Sequence, residues 1–187
     1  MSIQPSRPPR RTVLKTAAAA SAVAPAALAA APQPSPGRPG DFDFLSGEWR
    51  IRHRRFLADS KTWDEFEGEA TCRSILGGVC SVEELRIPAR NFSGMGLRLL
   101  DVERAIWVDH WVNAKGGVLT PPGVEGRFVN GDGVFISDET DGATPIKVRG
   151  LWDGITATSC RWSQAVSRDG GATWEDNWLM EWRRVGA

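Results

Sequence analysis

From Asp41 onward, apolar and polar residues alternate with a period of two, which favours β-strands over any other element. In residues 49–54 a Trp, an Ile and a His alternate with arginines, and in residues 65–72 three glutamates alternate with apolar or small residues. Successive side chains of a strand point to opposite faces, so a register error of one residue would bury a row of charges. We therefore expect Trp49, Ile51 and His53 to face the interior.

Turn-forming residues recur every 8 to 12 positions and divide this pattern into ten predicted strands. The predicted strands are residues 48–57, 63–75, 79–87, 92–100, 105–113, 124–130, 134–138, 145–153, 156–167 and 174–184. Short antiparallel strands joined in sequence form a meander, and closing the meander removes its exposed edges. The sequence thus predicts an all-β domain over residues 41–187, an antiparallel up-and-down barrel of about 8–10 strands. A β-sandwich is the alternative.

The interior of this barrel has to accommodate many indole rings. The 187 residues include nine Trp and no Tyr, which calls for a wide apolar interior, a cavity or a contact surface. In the strand 105–113 the sequence leaves open which of two alternating sets of side chains faces inward. One set contains Trp107, Asp109 and Trp111, and the other is mainly aliphatic. Apolar walls with few polar groups are typical of a ligand pocket, although a solid Trp-rich core fits the same pattern. The predicted ligand-binding residues are His53, Arg55, Trp107, Asp109, Trp111, Trp162, Gln164 and Trp178.

The candidates for chemistry are few. His53 lies on the inward face and is one of two groups that titrate near neutrality, so it is a candidate ligand contact or general base. A core histidine bonded to a neighbour is the alternative. If Gly77-Gly78 is a two-residue turn, Glu83 also faces inward and would form an acid–base pair with His53. Arg55 continues the same face and either pairs with an anionic ligand or reaches water.

The first thirty-one residues have the composition of a targeting segment. Residues 9–15 read Pro-Arg-Arg-Thr-Val-Leu-Lys, which matches the twin-arginine pattern closely. An alanine-rich stretch follows and ends in small residues suited to cleavage after Ala29. Residues 1–31 are therefore predicted to be a twin-arginine signal peptide, with the twin-arginine export machinery as a partner. Residues 32–40 form a predicted Pro/Gly linker, and we expect a periplasmic or secreted product.

The start of the first strand resembles a known family. Residues 44–49 read Phe-Leu-Ser-Gly-Glu-Trp, and this Gly-x-Trp resembles the opening of lipocalin-like (calycin) barrels. The resemblance implies that Trp49 plugs the closed end and that an arginine of the last strand, Arg183 or Arg184, packs over it. The wider run from Phe42 to Arg184 also resembles an uncharacterised bacterial group, the domain-of-unknown-function 1579 family. That likeness implies a fold without an established chemistry.

A second resemblance concerns one hairpin. Residues 167–174, Ser-Arg-Asp-Gly-Gly-Ala-Thr-Trp, look like the Asp-box turn of sialidase-type β-propellers. In that motif the aspartate accepts hydrogen bonds from the loop and the glycines take positive φ. A propeller repeats the motif in each blade, whereas this chain has it once. We expect a rigid hairpin and no glycosidase.

Several function classes find little support. The two histidines are far apart and no Cys-x-x-Cys is present, so we predict no metal and no cofactor. Removing the predicted signal takes away four of 23 basic residues and none of 23 acidic ones, leaving a net charge of −4. No basic block then remains for nucleic acid. The three cysteines, an odd number, are expected to be small buried hydrophobes.

Two functions remain. The leading prediction is an exported binding or carrier protein that holds a small amphipathic or aromatic molecule in a Trp-lined cavity. The alternative is a cavity enzyme of the isomerase, hydratase or cyclase type that uses His53 and Glu83, which the fold permits without implying it. A third and blander option is an interaction protein, in which the aliphatic face of the strand 105–113 forms a homodimer.

Overall fold

Ten antiparallel strands follow one another around a closed barrel in the computed structural model, which describes residues 34–186. Each strand pairs with its neighbours in sequence, and β1 pairs with β10 to close the ring. The strands are β1 Gly47–Leu57, β2 Thr62–Ile75, β3 Cys80–Ile87, β4 Phe92–Asp101, β5 Ile106–Asn113, β6 Val124–Val129, β7 Asp132–Asp141, β8 Thr144–Asp153, β9 Ser159–Ser167 and β10 Glu175–Arg184. The predicted up-and-down barrel is confirmed, and the alternative of a sandwich is wrong.

Eight strands match their predicted extents to within one residue at each end, and two differ by more. β7 runs from Asp132 to Asp141, well beyond the predicted 134–138, because its polar outer end pairs with β8 as far as Thr144. β9 starts at Ser159 and not at 156, because the residues before it form a turn. In that turn the Thr156 hydroxyl accepts hydrogen bonds from the backbone N–H groups of Thr158 and Ser159, at 3.2 and 2.9 Å.

The alternation in β1 and β2 sets the two faces of the wall as predicted. Trp49, Ile51 and His53 are fully buried. The arginines between them point outward and meet glutamates of β2, as in the ion pair of Arg50 with Glu69 at 2.7 Å. Such exposed pairs contribute little to stability, so burial of the inward row is what fixes the register.

One end of the barrel is closed by a cluster of aromatic rings. The Trp49 ring lies edge-to-face on Trp182, with the centroids 5.9 Å apart. The Arg184 guanidinium stacks over Trp49 at 4.4 Å and donates hydrogen bonds to the carbonyls of Phe44 and Ser46. The arrangement that the calycin resemblance implied for Trp49 is therefore present, with Arg184 as the arginine. A closed ten-stranded antiparallel barrel fits a lipocalin-like fold.

Helical structure in residues 34–186 amounts to three short 3-10 turns. They are Asp43–Leu45, Leu76–Gly78 and Pro88–Arg90. Within the described residues, no helix has the length and apolarity that crossing a bilayer requires.

The described part of the predicted linker, residues 34–40, runs along the barrel. The backbone N–H of Ser35 donates to the Phe128 carbonyl and that of Gly37 to the Ala105 carbonyl, both at 2.8 Å. The N–H of Gly40 donates to the Gly78 carbonyl at 2.9 Å. This segment is thus held at the barrel surface by backbone hydrogen bonds. The predicted signal peptide, residues 1–31, lies outside the described residues.

The hairpin between β9 and β10 has the geometry that its sequence indicates. The Asp169 carboxylate accepts hydrogen bonds from the backbone N–H and the hydroxyl of Thr173, at 2.9 and 2.7 Å. The Ser167 hydroxyl donates to the same carboxylate at 2.8 Å. Gly170 and Gly171 take φ values of 76° and 102°, which favour glycine. The turn is a rigid structural element.

Candidate functional site

A cavity of about 340 Å³ lies inside the barrel. Its wall is built by residues of β3 through β10, and neither β1 nor β2 contributes to it. The volume is at the small end of the range found for ligand pockets. Most of the lining is apolar, with the charged groups gathered at a few positions.

Three charged side chains from three adjacent strands meet on the cavity wall. Arg98 of β4 donates through Nη2 to Glu83 Oε2 of β3 at 2.6 Å. Its Nε lies 3.7 Å from Asp109 Oδ1 of β5, an ion pair too long for a hydrogen bond. The side chains of Arg98 and Glu83 are 5 % and 4 % exposed, while that of Asp109 is 25 % exposed. We call Glu83, Arg98 and Asp109 the charged triad.

The triad changes the acidity of its members. Burial raises the pKa of Asp109 to about 6, with the Glu83 charge adding to the rise and Arg98 opposing it. Burial alone would lower the pKa of Arg98, but the charges of Asp109 and Glu83 outweigh it and the pKa is raised. Arg98 therefore stays charged, while Asp109 changes its charge near pH 6.

The Arg98 guanidinium has spare hydrogen-bonding capacity. Its Nε and Nη1 are buried and have no acceptor among the described residues. The ring of Phe42 lies 5.4 Å from the guanidinium carbon and that of Trp152 lies 5.0 Å from it. Arg98 thus stands between the aromatic cluster of the closed end and the cavity, with N–H groups that are costly to leave unpaired.

Aromatic rings form much of the remaining wall. Trp162 and Trp178 meet edge-to-face, with centroids 6.0 Å apart and planes at 85°. Phe135 of β7 and Trp111 of β5 also line the cavity. Gln164 adds a polar group, although its amide already donates to Asn177 at 3.1 Å. The wall therefore offers flat apolar surfaces around one charged group of residues.

A gap in the ladder of hydrogen bonds lies beside the cavity. β6 pairs with β5 only at residues 107–109 and with β7 only at 132–135, so both neighbours extend past it. Four cavity-lining residues flank this gap: His110, Trp111, Ser137 and Glu139. Trp111 is 46 % exposed, which is unusual for an inward-facing indole. We place the opening of the cavity at this gap.

Inward-facing glycines make the space. A Cβ on Gly150 would sit 3.5 Å from Trp162 Nε1, an ordinary contact, so a longer side chain there would extend into the cavity. Gly96 lies against the charged triad, where a Cβ would come within 3.1 Å of both Arg98 Nη2 and Glu83 Oε2. The missing side chain at Gly150 in β8 leaves room for a ligand, and the missing side chain at Gly96 in β4 leaves room for the triad.

The predicted site residues divide into two groups. Those that line the cavity are Glu83, Asp109, Trp111, Trp162, Gln164 and Trp178. The structure thereby settles the orientation of β5, since its Trp/Asp set faces inward. The outward set of β5 includes Ile106, Val108 and Val112, and a dimer contact through it stays a prediction.

His53 lies outside the cavity wall, in a packed layer. Its ring stacks on Phe66 with centroids 4.6 Å apart, and its Nδ1 accepts a hydrogen bond from Trp178 Nε1 at 3.3 Å. Its Nε2 lies where a Cβ of Gly68 would approach within 2.5 Å. Burial lowers the pKa of His53 to about 4, and Arg90 contributes to this shift. The ring is thus a neutral acceptor for Trp178, and the expected partner Glu83 bonds Arg98 instead.

Trp107 and Arg55 also lie away from the cavity. Trp107 is fully buried in the closed-end cluster, where its Nε1 donates to Asp41 at 3.0 Å and its ring meets Phe42 edge-on. Arg55 is exposed and stacks over the Trp178 ring at 5.0 Å. Both residues therefore have a structural role, and Arg55 contacts the cavity only indirectly, through the Trp178 ring.

Arg98 is the residue that sequence reasoning missed. β4 reads Phe-Ser-Gly-Met-Gly-Leu-Arg-Leu-Leu-Asp. From the sequence alone, the bulky apolar residues Met95, Leu97 and Leu99 would be expected to face the interior. The glycines face inward instead, and Arg98 shares their face. An inward Glu83 requires a cation on a neighbouring strand, and Arg98 is the only basic residue of β4. That requirement is the signal that identifies it.

No metal site was found among residues 34–186, where no group of three or more potential ligands converges. The three cysteines are buried and unpaired with one another, as the sequence predicts. No protein-family model matches the chain, and no curated protein is significantly similar to it. The resemblance to the domain-of-unknown-function 1579 family stays a prediction. The site must therefore be interpreted from its own geometry.

Proposed function

We propose that the protein is an exported binding protein or carrier that holds one small amphipathic or aromatic molecule inside its barrel. The observation that carries the proposal is the cavity of about 340 Å³ between aromatic side chains and the charged triad. Burying a flat apolar molecule against indole rings is favourable, and a few polar groups orient it. Inward glycines in β4 and β8 keep this volume open.

Binding is favoured over turnover because of where the candidate catalytic group lies. His53 is packed between Phe66 and Gly68, and its Nδ1 is already engaged by Trp178. A general base has to reach the proton that it removes, and this ring does not line the cavity. Glu83 is likewise occupied by Arg98. The two residues on which the isomerase, hydratase or cyclase alternative relied are thus both engaged by other side chains.

Export is part of the same proposal and rests on the Arg10-Arg11 pattern with its alanine-rich stretch. A fusion of residues 1–35 to a reporter should leave the cytoplasm in a host with twin-arginine export. Replacing Arg10 and Arg11 by lysine should retain the reporter inside, since this pathway recognises the arginine pair. A reporter that is retained with the native sequence would contradict export.

Binding can be tested without knowing the natural ligand. 2-Acetylnaphthalene, a neutral two-ring aromatic probe, should bind the folded protein at one saturable site and quench its tryptophan fluorescence by energy transfer. Native mass spectrometry of protein isolated from exporting cells should show a small molecule that is released on denaturation. Absence of any saturable site for neutral aromatic probes, together with a bare mass, would refute the proposal.

A further inference from the structure

We propose that the ligand is an uncharged one- or two-ring aromatic molecule with a carbonyl or hydroxyl oxygen at the end that meets Arg98, and that the cavity discriminates against carboxylates. The inference rests on the proposed binding function and specifies the chemistry of its ligand. Three features carry it: the unpaired N–H groups of Arg98, the charge balance of the triad and the size of the aromatic chamber.

The unpaired N–H groups call for an acceptor. Arg98 Nε and Nη1 are buried and have no hydrogen-bond acceptor within residues 34–186, although the residue lines the cavity. A guanidinium offers five donors, and Glu83 engages only Nη2. A ligand oxygen on Nη1 would form a charge-assisted hydrogen bond, which is stronger than one between neutral groups. The polar end of the ligand therefore carries an oxygen acceptor.

The charge balance argues against an acid. Glu83 and Asp109 both lie against Arg98, so its positive charge is already opposed by two carboxyl groups. Glu139 adds a further acidic residue to the lining, and among the described lining residues Arg98 is the only arginine or lysine. A ligand carboxylate would place another negative charge in this low-dielectric site, at a cost that no unpaired cation offsets. A neutral oxygen gains the hydrogen bond without that cost.

A cationic head is disfavoured at the same point. An ammonium group has donors and no acceptor, so it leaves the N–H groups of Arg98 unpaired and places two cations together. The aromatic walls accept a flat apolar body, with Trp162 set at 85° to Trp178. A cavity of about 340 Å³ is at the small end for drug-sized ligands, which limits the body to one or two rings.

A matched probe series tests this directly. The dissociation constants of 2-acetylnaphthalene, 2-methylnaphthalene, 2-naphthoate and 2-naphthylmethylammonium should be measured on the full-length protein at pH 7.5 by tryptophan quenching. We expect the ketone to bind about tenfold or more tighter than the methyl compound, because of the bond to Arg98. The carboxylate and the ammonium should each bind at least about tenfold more weakly than the ketone.

A double variant assigns the effect to Arg98. Glu83→Met/Arg98→Met replaces the ion pair by apolar side chains of similar length, a change that folded proteins often tolerate. In this variant the preference for the ketone over the methyl compound should disappear. If the variant does not fold, the wild-type series alone decides.

The outcomes separate the two claims. Binding of none of the four probes would refute the proposed function itself. Binding of the carboxylate or the ammonium as tightly as the ketone would overturn this inference and leave the binding function standing. Equal binding of the ketone and the methyl compound would also overturn it, as would a ketone preference that persists in the double variant.

Discussion

At the scale of single residues, the charged triad and His53 show two ways of burying a polar group. The ion pair of Glu83 with Arg98 at 2.6 Å neutralises both charges, yet two nitrogens of the arginine have no acceptor in the part of the chain that the structure describes. Buried ion pairs are often no more stabilising than apolar substitutes, so stability alone does not account for this one. In the proposed complex, a ligand oxygen would supply the missing acceptor. His53 is buried instead as a neutral ring that accepts one bond from Trp178.

The neutral state of His53 predicts a pH dependence of stability. The unfolded histidine binds a proton near pH 6.5, whereas its pKa in the folded protein is about 4. Acid therefore favours the unfolded chain: the contribution is fully present above pH 6.5 and is lost as the pH falls towards 4. We expect urea unfolding at pH 7 and pH 4.5 to show a fall in unfolding free energy that is about 2 to 3 kcal/mol larger in the wild type than in His53→Gln.

The glutamine variant keeps an acceptor for Trp178 and removes only the titrating group. The difference between wild type and variant in pH dependence therefore reports the protonation of His53. Histidine ring signals in NMR spectra should identify a ring, absent from the variant, that is still neutral at pH 5.5. Titration of that ring near pH 6.5, or equal pH dependence in the two proteins, would contradict this assignment.

At the scale of strands, the period-two pattern identifies which face of a strand points inward. It does not identify whether an inward residue lines the cavity or lies in a packed region. The turn at Gly77-Gly78 sets the register of β3, and Glu83 pairs with Cys72 and faces inward as that turn predicts. For β5 both faces carry large apolar groups, so the pattern leaves its orientation open. Inward residues such as His53 and Trp107 fill packed regions, because the position of the void depends on glycines of other strands.

The β9–β10 hairpin gives a prediction at this scale. Asp169 accepts three hydrogen bonds within the turn, and these bonds, chiefly from Thr173, hold the pKa of its carboxyl well below its usual range. Its contribution is present above the unfolded pKa near 4 and is lost as the pH falls below that value. Asp169→Ala should lower the urea midpoint at pH 7.

Asp132→Ala is the matched control, because this exposed aspartate at the start of β7 makes no side-chain hydrogen bond within the described residues. The same midpoint for the two variants would show that the Asp-box-like turn does not stabilise the barrel.

At the scale of the whole molecule, the interior of the barrel is divided into three regions. The closed end is filled by aromatic rings around Trp49 and Trp182, and the β1–β2 sector is filled by His53 and Phe66. The remaining eight strands surround the cavity, with Arg98 between it and the closed end. Because one end and the β1–β2 side are filled by side chains, a ligand would have to enter elsewhere. The gap in the strand pairing on either side of β6 is the opening that remains. Which regions are filled and which is empty depends on the sizes of the inward side chains. The alternation of apolar and polar residues does not predict this.

The most direct test of the account is to fill the cavity from Gly150. Gly150→Leu should place its side chain in the void without forcing the neighbouring atoms apart, and it removes a glycine from a strand interior. We expect unchanged or higher stability and loss of 2-acetylnaphthalene binding by about tenfold or more, through lost apolar contact. Leu151→Val, on the outward face of the same strand, should leave binding unchanged. Undiminished probe binding by a folded Gly150→Leu protein would show that the ligand site is not this cavity.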